Sequence, residues 1–504
     1  MTDTEEQPEA LGWRLRMFGS IEFSRLWLTQ VVSASGDWLG FLAIAALATR
    51  IGAGSPEAAV GVVMAARIVP GFFLGAASGV VADRFDRKKV MVSCDVGRAC
   101  VIALLPFVNS VWGLVLASFV LEMLTLLWTP AKEASVPNLV PADHLTTANS
   151  LSLVAAYGTM PLAAGLFALL SKLAETLGGI HAFDSLKTSQ ESLAFYVDAL
   201  TFLFSASMVW RLTGIRAAVR SNGNGEAASS NDKRIDFAQA FHEIKEGWQF
   251  IAINPVVRCV NIGLATGLIG GGMLVPLGPV FSIRVLGAGT AGFGFFVFAM
   301  GCGVALGVVL LSIFQKRLPK AQVFALSLLV GGASLLLAAS MSTLALAALF
   351  VALLGMCAGS VYVLGFTLLH ESVDDELRGR IFSALYTLVR LCVLIAFAVG
   401  PLLSDLLDKL SSRLVHREIS LFGASIAVPG VRLTLWFAGL VIVGAGFLAV
   451  KALGIPLRSE ERLDSTELIT GLTAPMTQVK HSHDHPSLRA PSPARAHEPP
   501  DPVP

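Results

Sequence analysis

The chain has 504 residues, 54% of them hydrophobic and only 14% charged, with a formal net charge of +1. Soluble domains carry about 25% charged residues, so the composition excludes an ordinary water-soluble globule and places the chain in a bilayer. A charge so close to neutral gives no ground for expecting a nucleic-acid partner.

The opening residues, MTDTEEQPEA, are acidic and lack the short apolar core of a secretory leader, so none is expected. Residues 1–25 are read as a cytoplasmic segment. Apolar runs follow near 26–50, 58–82, 90–108, 111–130, 150–172 and 192–213. Each is close to the length of about 20 residues that crosses a hydrocarbon core of roughly 30 Å. Six more lie near 256–284, 289–314, 321–341, 344–369, 381–408 and 431–453. The pattern predicts an all-α integral membrane fold of twelve helices in two pseudo-symmetric halves, 26–213 and 255–454.

Lys and Arg collect in alternate loops. Arg14, Arg16 and Arg25 precede the first run; Arg84, Arg87, Lys88 and Lys89 follow the second; Lys316, Arg317 and Lys320 follow the eighth; Arg378 and Arg380 follow the tenth. These loops and both termini are therefore expected on the cytoplasmic side of the cell membrane. Corresponding punctuation recurs in the two halves. ADHLTTANSLSLV leads into the fifth run and DDELRGRIFSALYTLV into the eleventh, while Pro161 and Pro401 occupy matching places beyond them. An ordered repeat of this kind implies duplication.

Between the halves, RSNGNGEAASSNDK is a flexible linker by composition. After it Phe237, Phe241, Ile244, Trp248 and Ile251 recur at helical spacing within 214–254. They predict an amphipathic helix lying in the membrane interface or beneath the bundle. The tail, 455–504, is rich in Pro, Ser and His and cannot bury a core; its His481, His483 and His485 are not expected to form a dedicated metal site. The six cysteines fall in or beside apolar runs without paired spacing, as buried hydrophobes do. No cofactor is called for. Nucleophile, zinc-helix and phosphate-loop motifs are absent from the sequence, which argues against an enzyme or an ATP-driven pump.

The loop GVVADRFDRKKV needs a fuller account. Gly79 permits close approach of another helix, and Asp83 lies one turn further on the same face. There it can face the positive end of a neighbouring helix, worth about 0.3–1 kcal/mol when exposed and up to about 2 when partly buried. A basic loop that only sets orientation would need neither residue. The sequence resembles the signature loop of the major facilitator superfamily, with Gly79, Asp83, Arg84, Arg87 and Lys88 at the motif positions. That resemblance implies a transporter whose two halves are clasped by the loop while the cavity faces outward, Asp83 meeting the start of the eleventh helix near Arg378 to Ile381. RLWLTQVVSASGDWL, ARIVPGFFLGAASGVVADR and WTPAKEASVPNLVPADHLTTANSL are further similar to drug/proton antiporters that export macrolides and siderophores. YGTMPLAAG resembles the exporters' motif in the fifth helix through Gly158, Pro161 and Gly165, but without an adjacent Gly-Pro pair. The fourth helix lacks the Arg that many relatives carry.

Ionisable groups inside a bilayer are functional candidates. With a helical rise of about 1.5 Å per residue, Asp37 falls roughly 18 Å and Glu122 roughly 15 Å from the cytoplasmic edge, and Arg67 roughly 24 Å. Glu122, with no basic partner on its own helix, is the expected proton carrier. Asp37 and Arg67 are expected to be a second carrier with its cation or a buried structural pair. Asp95 and Arg98, three residues apart, should satisfy each other; Asp198 and Arg390 lie at mid depth with no assigned partner. Gly270, Gly271, Gly272 and Pro276 mark the seventh helix as a hinge.

The expected function is export of a small amphipathic compound by proton antiport, in a monomer whose partners are its solute, protons and lipid. The sparse charge of the apolar runs points to hydrophobic or weakly cationic solutes. A facilitator or importer on the same fold, and a non-transporting scaffold or sensor, stay open.

Overall fold

The computed structural model describes residues 12, 15, 17–52, 54–141, 144–177, 191–213, 253–314, 318–372, 375–414, 418–421 and 424–453. At 73–84, 146, 255–256, 370, 372, 375–384, 386, 418–421 and 424–426 it describes the backbone only. The chain divides into units Met1–Ile455 and Pro456–Pro504. The second unit, and the expected amphipathic helix within 214–254, lie outside the described residues.

The helices are α1 (Ile21–Ile51), α2 (Pro56–Arg84), α3 (Arg87–Leu104), α4 (Val111–Glu133), α5 (Leu145–Tyr157), α6 (Met160–Leu177) and α7 (Ser192–Arg211) in the first half. The second half holds α8 (Pro255–Gly272), α9 (Leu274–Val280), α10 (Gly289–Phe314), α11 (Lys320–Ser340), α12 (Leu344–Ser372), α13 (Asp375–Leu414) and α14 (Gly430–Ala452). Among the described residues, eleven segments are long and apolar enough to cross a membrane, and the 29-residue α2 holds the twelfth expected run. In hydrocarbon each backbone N–H must be satisfied within its own segment. Helix starts are closed by side chains: Ser20 accepts from Phe23 N at 3.0 Å, and Asp86 from Lys88 N at 3.0 Å and Lys89 N at 3.2 Å.

Two spans are interrupted, the seventh where its glycine run marked a hinge and the fifth where no break was expected. The fifth is built from α5 and α6, joined at Gly158 and Thr159; the seventh from α8 and α9, joined at Met273, and it runs on into a π-helical turn, Phe281–Val285. The all-α architecture carries one small addition, a hairpin of β1 (Glu418–Leu421) and β2 (Ala424–Ala427) paired antiparallel between α13 and α14. Buried Arg432 donates to Ala427 O and, at 3.0 Å, to Met341 O, fixing the end of the hairpin to the loop after α11. Exposed Trp112, Leu116, Leu169, Ile313, Leu349 and Leu448 face outward, as a lipid-facing surface requires.

The halves meet most extensively along two seams, α6 with α10 and α2 with α13, and α9 adds a smaller contact with α1 and α2. Each seam sets a proline ring on a glycine. A Cβ added to Gly301 would lie 2.6 Å from Pro161 Cγ, and one added to Gly61 would lie 2.8 Å from Pro401 Cβ. The matching prolines foreseen in the two halves thus play matching roles.

Among the described residues the two ends of the bundle differ. At the end bearing Ser55 and Glu57 the halves are tied: Ser55 Oγ donates to Asp405 Oδ1 at 3.1 Å, and Arg284 Nη1 lies 3.3 Å from Glu57 Oε1. At the end bearing residues 85–89, an apolar cluster of Phe23, Leu26, Met91, Ala131, Val136 and Leu139 is drawn from the first half alone.

Candidate functional site: a charged central cavity

A cavity of about 960 Å³ runs from the middle of the bundle toward the end bearing residues 85–89, where Lys132, Glu133, Val136 and Asn149 form part of its wall. Asp37, Arg67 and Glu122, expected at similar depths on α1, α2 and α4, all line it. Their helices are neighbours, α2 packing on α1 and α4.

The pairing differs from expectation. Asp37 does not take Arg67 as its ion-pair partner; its Oδ2 lies 3.5 Å from Arg98 Nη1. Arg98 also binds Asp95 Oδ1 through Nη2, and Asp95 Oδ2 accepts from Ser205 at 2.7 Å. The expected Asp95–Arg98 pair is therefore present, and it extends through Arg98 to the cavity. The guanidinium of Arg98 is 4.3 Å from the ring centre of Phe202 and 5.3 Å from that of Trp128, aromatic faces that offset the loss of hydration. Buried in this way, Arg98 is a fixed post.

Arg67 instead lies over Phe41, 5.6 Å from the ring centre. Among the described residues neither Arg67 nor Glu122 has a group at hydrogen-bond or ion-pair distance. They do feel each other's field, and Glu122 also feels Asp37, Arg98 and the exposed Arg390. The cavity thus holds charges of both signs, supplied by the acidic and basic residues expected there.

Asp198, at mid depth on α7, is fully buried away from the cavity. It is wedged against α1, where a Cβ on Gly36 would lie 2.4 Å from its Oδ1 and one on Gly40 2.1 Å from its Oδ2. That Oδ2 has no hydrogen-bond partner.

The loop motif is described in part. Arg87 Nη1 donates to Ala134 O at 2.8 Å and Lys88 Nζ to Leu212 O at 2.8 Å. Both bonds stay within the first half. Gly79, Asp83 and Arg84 have backbone only, as do Arg378 to Ile381, so the expected contact across the halves falls outside the described side chains. Of the exporter-like residues, Gly158 ends α5, Pro161 sits on Gly301, and a Cβ on Gly165 would lie 3.3 Å from Phe298. Of the hinge residues, Gly271 has open space around it, while Gly270 is pressed on Ile442 and Ala438, Gly272 faces Ala396, and Pro276 is buried.

Trp38, Phe41, Trp128, Tyr157 and Lys132 also line the cavity, and sequence reasoning did not single them out. Trp128 and Lys132 share a face of α4, four residues apart, which was the available signal.

The sequence profile of the Major Facilitator Superfamily matches residues 26–396. The uncharacterized MFS-type transporter YfiS of Bacillus subtilis (strain 168) is 26% identical over 389 residues, covering 75% of this chain and 85% of that protein. The putative bacilysin exporter BacE of Bacillus amyloliquefaciens is 25% identical over 346 residues, 66% of this chain and 75% of the relative. Macrolide efflux protein A of Enterococcus faecalis is 36% identical over 83 residues, 16% of this chain and 26% of its own. Among solved structures, a bacterial homolog of the human lysosomal transporter Spinster, inward-facing and unoccupied, superposes with a TM-score of 0.63 at 15% identity, covering 86% of this chain and 96% of that one. The fold, the charged cavity and the sequence match agree: this chain belongs to the major facilitator superfamily and is a multi-pass membrane transporter.

Proposed function

We propose that the protein exports a small amphipathic compound across the cell membrane in exchange for protons, by alternating access of its two halves. The observation that carries this reading is Glu122: a carboxyl inside the bundle, on the cavity wall, with no cation at ion-pair distance among the described residues. A carboxylate so placed is costly unless it holds a proton or a cationic ligand, so proton and substrate compete for it. Relatives bearing the names of a bacilysin exporter and a macrolide efflux protein support the outward direction.

Glu122 and Asp37 take the proton from the outer side, and Arg98 holds Asp37 in place. The end tied by Glu57–Arg284 and Ser55–Asp405 is the outer one in this reading, and those bonds part when the cavity turns outward. Asp83 and its loop then clasp the opposite end. Gly271 and its neighbours give the seventh span its bend.

The test is reconstitution of the full-length protein in vesicles with an imposed pH gradient and a panel of fluorescent amphiphiles. Wild-type protein should drive accumulation against a concentration gradient, and Glu122→Gln should abolish driven transport while still binding the compound, with reduced affinity. Driven export by Glu122→Gln at the wild-type rate would place the coupling elsewhere. Equal equilibration with and without the gradient would make the protein a facilitator.

A further inference from the structure

The walls of the cavity are chemically unequal. Among the described residues, each charged or hydrogen-bonding side chain of its lining comes from the first half, whereas the second half contributes only Val275, Val297, Val393 and Phe397. A solute filling this space meets a polar, charged wall on one side and these apolar side chains on the other.

The charges on the polar wall are not equally available. Arg98 is committed to Asp95 and Asp37, and its guanidinium is enclosed by Phe202 and Trp128. Lys132 and Glu133 also lack an ion-pair partner at contact distance among the described residues, but they lie where the cavity approaches the end of the bundle, roughly 15 Å of helical rise from Glu122. At mid depth that leaves Arg67 and Glu122, of opposite sign, both on the wall and both without an ion-pair partner at contact distance among the described residues. They are near enough to feel each other, yet they do not close into a salt bridge. An open pair of this kind is satisfied by a ligand that brings one charge of each sign. A simple cation at Glu122 would stand beside an uncompensated Arg67. A simple anion at Arg67 would face both Glu122 and Asp37.

We infer that the cavity is built for a zwitterionic amphiphile: its anionic group on Arg67, its cationic group on Glu122, and its apolar body against Val275, Val297, Val393 and Phe397. This rests on the reading of the cavity as the transport site and adds the charge pattern of the substrate. The ammonium of such a ligand takes the place of the proton on Glu122, and the anion takes up the charge on Arg67 at the same time.

Three probes with the same fluorophore and similar tethers test the idea: Nε-dansyl-lysine (zwitterion), dansylcadaverine (cation) and N-dansyl-6-aminohexanoate (anion). Binding to the purified full-length protein in nanodiscs is read by energy transfer from tryptophan, with Trp38 and Trp128 on the cavity wall. The zwitterion should bind at least about tenfold more tightly than either singly charged probe. Arg67→Gln should make dansylcadaverine the best ligand, and Glu122→Gln should make the anion best. Arg67→Lys, which keeps the charge, should preserve the wild-type order and so separates lost recognition from misfolding. A wild-type order in which the cation or anion equals the zwitterion overturns the inference, as does an equal weakening of all three probes by each neutral variant. Because ranking is read from binding alone, the inference stands or falls independently of whether a pH gradient moves these probes.

Discussion

Arg284→Gln removes the cation from the ion pair that ties the halves at the end bearing Glu57. The Glu57 side chain is 5% exposed, that of Arg284 is 44% exposed, and the separation is 3.3 Å. At that distance the gross attraction is about 5 kcal/mol for an effective dielectric constant of about 20. Solvent around the half-exposed guanidinium reduces the net value to about 1–2 kcal/mol. A buried carboxyl that loses its cation takes up a proton instead of staying charged, which caps the cost further. The variant should therefore shift the balance between the observed closed state and the opposite one by about 5–30-fold. Glu57→Gln should do less, because it also removes the buried charge and leaves Arg284 to water. The asymmetry is the signature.

Spin labels at Gly54 and Arg413, in a variant without the six native cysteines, read the distance across this end. Arg284→Gln should populate longer distances, and the double variant should resemble Glu57→Gln. An unchanged distribution, or a larger effect from Glu57→Gln, would refute the reasoning. A pH series adds a check on sign. Glu57 precedes the apolar run 58–82, and burial raises its carboxyl above the ordinary carboxylate range, outweighing the opposing pull of Arg284. The closed end thus holds its proton to higher pH than an open, hydrated end would. Linkage then makes closure more favourable as pH falls through the raised value, and that contribution is lost as pH rises. Glu57→Gln should flatten the dependence.

Further expectations are more local. Gly40→Ala sets a methyl 2.1 Å from Asp198 Oδ2, an overpacking that should lower thermal stability by about 1–3 kcal/mol, read by melting of the protein in detergent. Gly271→Ala meets open space and should raise helix stability by up to about 1 kcal/mol; if the seventh span bends in transport, turnover should fall with the melting temperature unchanged or higher. Asp83→Asn should move distances across the end bearing residues 85–89 toward the open population and slow transport while the protein still inserts. Normal transport with unchanged distances would reduce that loop to an orientation signal.

The fold was legible because its evidence is one-dimensional. A bilayer forces apolar runs of fixed length, and the glycine run at 270–272 marked the interrupted seventh span, whereas the break at Gly158 and Thr159 in the fifth was not expected. The charged site was legible only where partners share a helix. Asp95 and Arg98 are three residues apart, and helical geometry alone brings them together. Asp37 was different: height along the bundle favoured Arg67, but rotation of each helix about its axis decides which side chains meet, and Arg98 won. Nothing in the sequence of α3 announces that its arginine serves two carboxylates on two helices. The hairpin at 418–427 went unseen for another reason. Its two four-residue strands are shorter than any run that would stand out beside the long spans.

The two proline-on-glycine seams carry a consequence for how the halves move. A proline ring offers no N–H, and a glycine offers no side chain, so neither Pro161 on Gly301 nor Pro401 on Gly61 contributes a directional bond at that contact. Such a contact has a shape but no preferred angle, and a rolling movement about it breaks no hydrogen bond. The Ser55–Asp405 and Glu57–Arg284 bonds are directional, and both lie at one end of the bundle. The molecule is thus a bearing with a catch at its rim: the middle sets how easily it turns, and the end decides where it stops.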